Sequence, residues 1–73
     1  MRLNPEDQAV AVIEAIRGSM NEETGMAHLP DVVIICVASG IERTLAYKII
    51  ERWNNICWRK IGSSIGLIGN NCG

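Results

Sequence analysis

Two apolar helical segments that meet at a glycine constrain this chain more than any other feature. Residues Ile35 to Trp53 read ICVASGIERTLAYKIIERW. Gly40 supplies the residue type that enters a left-handed backbone freely, as a tight turn between two steeply crossing helices requires. Cys36, four residues earlier, is small enough to let the helices approach, and Ile41, just after the glycine, fills the angle between them. Beyond the turn, Ala46, Ile49, Ile50 and Trp53 recur at i, i+3, i+4 and i+7, one apolar face of an α-helix. Arg43, Thr44, Tyr47, Lys48 and Arg52 fall largely on the other face. A rigid helix displaying such side chains, braced by a preceding helix, is how a small domain reads a DNA major groove.

The stretch GIERTLAYKIIERW resembles the turn and recognition helix of winged helix-turn-helix regulators of the IclR and MarR type. Their pattern is roughly Gly, apolar, two polar residues, Ser or Thr, a Val- or Tyr-containing pair, Arg or Lys, then two aliphatics. Here those slots hold Gly40, Ile41, Glu42, Arg43, Thr44, Leu45, Ala46, Tyr47, Lys48, Ile49 and Ile50. The helix end near Asn54-Asn55, then ICWRKIG and SSIGLIG, has the place and length of a two-stranded wing. The resemblance spans about Leu29 to Gly69. Leu45 departs from it, standing where a hydroxyl or other polar residue is usual, and Glu42 brings an acid to the start of the reading helix. The resemblance implies a mainly α fold with a small β-hairpin: three helices plus a two- or three-stranded wing sheet. It also implies that the helix over about 42–53 enters the major groove and that a wing at 62–64 meets the backbone.

Local signals place the remaining elements. Asn4-Pro5-Glu6-Asp7 starts a helix over about 4–18: Asn4 caps, Pro5 suits the first helical position, and the two acids complement the dipole. Ala9, Val12, Ile13 and Ile16 form its apolar stripe, Val10 broadens it, and Gly18 is a natural stop. Ser19 to Gly25 is a solvated connector. Met26 to Leu29 is a short strand pairing with the wing, as the resemblance implies. The helix-turn-helix then runs from about 30 to 54, opening at Pro30 and Asp31. Local propensity objects here, because Val32 to Val37 is rich in β-branched residues and taken alone reads as a buried strand of a βα unit. A parallel sheet needs further strand-helix repeats, which 73 residues with one such unit do not supply. The reading preferred is helix. The wing occupies about 56–69, with a strand from Ile56 to Ile61, a turn at Gly62-Ser63-Ser64 and a return strand from Ile65 to Ile68. Residues 70–73 form a loose tail.

One domain is all this length allows, near the lower size at which a single core suffices. An apolar share of 48% against 21% charged residues excludes a disordered chain. Phenylalanine is absent, so the core is aliphatic, with Trp53 and Trp58 as its large pieces. Small size favours dimerisation, and the resemblance implies pairing through the first helix or terminal segments, with Val10 and Ile13 as candidate interface residues. The net charge of −1 hides an asymmetry. Residues 1–30 carry two basic and five acidic side chains; residues 31–73 carry five basic and three acidic ones. The basic half suits phosphates, with strong salt dependence. The longest apolar run, Val32 to Ala38, falls far short of the roughly 20 residues that span a bilayer, so no membrane is expected. The N-terminus has no basic-then-apolar leader pattern. Three cysteines without CxxC spacing argue against a disulfide framework and for a reducing cytoplasm.

Candidate chemistry is confined to binding. Arg43, Thr44, Tyr47, Lys48 and Arg52 suit bases and phosphates; the bland reading is a solvated helix face. Arg59, Lys60, Ser63 and Ser64 sit in or near the wing, where such residues grip phosphates or the minor groove; the bland reading is charges guarding a hairpin edge. Leu45 reads as core or interface, in line with Ile41 and Ile49 at i, i+4, i+8. His28, Cys36, Cys57 and Cys72, spaced by 8, 21 and 15 residues, match no metal pattern, and Cys72 in the tail is the cysteine open to oxidation. No nucleophile, base pair of carboxylates or phosphate loop argues for an enzyme, a cofactor or a metal. The expectation is a cytoplasmic transcription regulator, a homodimer on duplex DNA. The alternative is a winged-helix module that binds a protein partner and no DNA. A contiguous basic patch would favour the first and a contiguous apolar patch the second.

Overall fold

The computed structural model describes residues 4–68, so the expected tail at 70–73 and Cys72 lie outside the described residues. The order is α1 (Pro5–Ser19), β1 (Met26–His28), α2 (Leu29–Ala38), α3 (Arg43–Arg52), β2 (Trp58–Ile61) and β3 (Ser64–Leu67). This is a mixed α+β architecture of winged helix-turn-helix form, with three helices and a three-stranded antiparallel sheet in the order β1-β3-β2.

Asn4 caps α1 as its sequence predicts, its Oδ1 accepting from the Asp7 N–H at 2.8 Å. The buried stripe is Ala9, Val12, Ala15 and Ile16; Ile13 lies at its half-buried margin. Gly18 does not stop the helix, contrary to expectation. One more residue, Ser19, continues it and donates its Oγ to the Ala15 carbonyl at 3.1 Å, and the chain then leaves through an extended Met20.

The β-branched run is helical. Pro30 suits the first turn of α2, and Val32, Val33 and Cys36 go into the core, so tertiary burial outweighs the local strand preference. The helix ends in a Schellman motif. Ile41 donates to the Cys36 carbonyl at 3.0 Å, Gly40 donates to the Val37 carbonyl at 3.0 Å, and Gly40 sits at φ +97°. Ile41 is thereby folded back into the core, 4% exposed. Ala46, Ile49 and Ile50 bury the inner face of α3, and Trp53 packs beside them half-buried. Asn55 then reverses the chain at φ 67°, a left-handed conformation Asn tolerates.

In the sheet, Ala27, Trp58 and Ile65 point inward, and Ala27 stands opposite Ile65. Strand β2 begins at Trp58; Ile56 and Cys57 belong to the preceding turn. The hairpin turn is Gly62-Ser63 alone, with Gly62 at φ +60°, and Ser64 is the first residue of β3, paired with both His28 and Ile61. The outer edge of β2 is covered locally: Asn55 donates to the Trp58 carbonyl at 2.7 Å, and Lys60 donates its N–H to Asn54 Oδ1 at 3.0 Å. The turn is tied to the helical half as well, since the Leu29 N–H at the start of α2 donates to the Ser63 carbonyl at 2.7 Å.

Cys57 is disulfide-bonded and Cys36 is a free, buried thiol. This corrects the expectation of no disulfide, and the cysteine count no longer argues for a reducing compartment.

Candidate nucleic-acid interface

Helix α3 is amphipathic enough to fix which side chains face out. With Ala46, Ile49 and Ile50 buried, the 3.6-residue period leaves Arg43, Thr44, Tyr47, Lys48, Glu51 and Arg52 exposed. Thr44, Tyr47, Lys48, Glu51 and Arg52 line one shallow depression on that face. Among the described residues, no carboxylate makes an ion pair with Arg43, Lys48 or Arg52. Arg52 also borders a second depression with Asn4, Pro5, Glu6 and Trp53, which puts it beside the acidic start of α1.

The hairpin contributes unevenly. Lys60 reaches back to α3 and bonds Glu51, so it neutralises the one acid on the middle of that face. Arg59 is exposed on β2 opposite Gly66. Ser63 is exposed in the turn with its carbonyl held by Leu29, whereas Ser64 is half-buried within the sheet. Of the nine expected contact residues, Arg43, Thr44, Tyr47, Lys48 and Arg52 therefore lie on one helix face, and Lys60 joins them through Glu51. Arg59, Ser63 and Ser64 lie along a hairpin of four-residue strands with no long protruding tip. The acid that departs from the resemblance, Glu42, precedes the helix and accepts a long 3.4 Å hydrogen bond from the Thr44 hydroxyl.

Of the two readings of Leu45, core and interface, its 38% exposure leaves the interface one, while Ile41 and Ile49 are buried. Periodicity overlooked two other residues. Ile34 and Val37 on α2 stand 64% and 47% exposed. Together with Pro30, Val33, Arg43 and Tyr47 they line a cleft of about 360 Å³ between α2 and α3. The signal for it was present: from Val32 to Ile41 only Ser39 is a polar side chain, too few to cover an exposed flank. The α3 face is thus basic along its length and apolar where it meets α2.

Among the described residues, no helix is long and apolar enough to cross a membrane, and no three His, Cys, Asp or Glu side chains cluster as metal ligands would. No protein-family model, curated protein or solved structure matches the chain.

Proposed function

We propose that this chain is a small DNA-binding protein, a transcription regulator that sets α3 into the major groove of duplex DNA. The observation that supports it is the exposed row Arg43, Thr44, Tyr47, Lys48 and Arg52 on a helix anchored by a fully apolar inner face. Among the described residues none of its three cations makes an ion pair with a carboxylate, which leaves their charge available to phosphates. Arg43 sits at the first turn of α3, the end of a recognition helix that reaches base edges. Arg59 and Ser63 on the hairpin are placed for backbone contacts. Hydrogen bonding and charge pairing to a duplex require neither cofactor nor metal.

Fluorescence anisotropy against mixed duplex fragments over a salt series tests this, with Arg43→Ala/Lys48→Ala alongside. Binding should weaken steeply with salt, and the double variant should bind poorly with a slope reduced by about one per cation removed. Absence of binding at low salt by the folded protein overturns the proposal and leaves the protein-binding module as the reading of this face.

A further inference from the structure

We infer that the cleft between α2 and α3 is a self-association surface, in which α2 packs antiparallel against α2 of a second copy of this chain. Helix α2 buries Val32, Val33 and Cys36 inward yet presents Ile34 and Val37 outward, so it is apolar on both sides. A helix apolar all round belongs in an environment that covers it all round. Scattered surface aliphatics are ordinary, but these are not scattered. Pro30, Ile34 and Val37 follow at i, i+4 and i+7, one strip along the helix, and Tyr47 continues it onto α3.

The charges at the two ends of the strip identify the occupant. Asp31 stands exposed at the N-terminal end, near His28 at 3.8 Å. Arg43 stands at the other end, in the same cleft as Val37, without a carboxylate partner among the described residues. Asp31 and Val37 lie three residues either side of Ile34. A two-fold axis at Ile34 therefore lays Asp31 of each copy over Val37 of the other, beside that copy's Arg43. The strip is complementary to itself: apolar in the middle, acid against base at both ends, helix dipoles opposed. Such a contact is isologous and closes at two copies. One ten-residue helix per copy gives an interface below the standard size of about 1,600 Å², so the dimer is weak and forms with rising concentration. Val10 and Ile13, the dimer residues expected from sequence, are half-buried within the monomer and offer no comparable strip. Arg43 and Tyr47 line both this cleft and the face proposed for DNA. On that proposal alone rests the corollary that pairing and duplex binding exclude each other.

Sedimentation equilibrium of the full chain from micromolar to millimolar, without DNA, tests the pairing. The mass should rise from monomer towards dimer. Ile34→Glu should remain monomeric throughout, with its fold checked by circular dichroism, since that side chain leaves the core untouched. Asp31→Arg should also abolish the dimer, and Asp31→Arg/Arg43→Asp should restore it. A monomer at every concentration overturns the inference. So does a dimer indifferent to Ile34→Glu, or an exchange of charges that restores nothing. None of these readouts depends on whether the protein binds DNA.

Discussion

The indole nitrogen of Trp58 donates to the carbonyl of Ile50 at 2.9 Å, and both residues are fully shielded from solvent. An α-helical carbonyl at position 50 would ordinarily accept from the N–H of residue 54. That N–H instead approaches Glu51 at 3.4 Å, so the first residue of β2 caps the last turn of α3. Trp58→Phe keeps most of the ring and strands the buried carbonyl, which should lower the unfolding free energy by about 1–3 kcal/mol. Trp58→Ala should cost about 3–5 kcal/mol. Urea titration followed by circular dichroism reads both. A Trp58→Phe variant as stable as the parent would show that water or a local shift satisfies Ile50.

Gly40 and Gly18 should respond to alanine with opposite signs. Gly40 holds φ +97°, where a side chain is strained even though open space surrounds it, so Gly40→Ala should destabilise by about 1–3 kcal/mol. Gly18 is an ordinary helical residue with nothing within 4 Å of an added Cβ. Gly18→Ala should stabilise by about 0.5–1 kcal/mol. Thermal melts of the two variants side by side settle the comparison.

Glu51 is the acid that holds Lys60 against α3. On the proposed function, Glu51→Gln releases a cation and removes a repulsive charge from the reading face. Duplex affinity at low salt should rise, with the salt slope steeper by about one. The effect on stability should be small, within about 1 kcal/mol, because the pair is largely exposed. Unchanged affinity and slope would mean that this part of α3 lies away from the DNA.

Burial pushes the Cys36 thiol above its ordinary value of 9.0, since the side chain is 1% exposed and desolvation disfavours the thiolate. A raised pKa in the folded state means that the folded chain holds its proton where the unfolded chain has lost it. The corresponding stability is complete below the unfolded pKa and is lost as pH climbs through the folded value. Unfolding free energy should therefore decline above about pH 9, and Cys36→Ala should decline less steeply. Thiol reagents should label Cys36 only on unfolding.

The parts of the fold that could be read from sequence are those fixed by local chemistry. Asn4 and Pro5 start α1, Gly40 and Ile41 close the Schellman turn, and the 3.6-residue pattern of Ala46, Ile49 and Ile50 sets the face of α3. Five of the nine candidate contact residues follow from that pattern. What resisted reading depends on partners distant in sequence. Val32 to Val37 carries a strand preference that only burial against α1 and α3 overrides, and the outward direction of Ile34 and Val37 follows from that packing. The bond between Lys60 and Glu51 joins residues nine apart across a chain reversal. Ser64 belongs to a strand because the hairpin turn is two residues long, which its own hydroxyl cannot announce.

The bond from Leu29 to Ser63 ties the hairpin turn to the first helix of the pair. On the proposed function, the helix pair and the hairpin would meet a duplex as the jaws of a caliper held at one opening. A hinged wing could adapt to grooves of many widths and would lose conformational freedom on closing. A locked one arrives with that ordering already complete and accepts only what fits. If the two jaws do grip a duplex, part of the discrimination should fall on positions neither of them touches, through the stiffness and groove width of the DNA between.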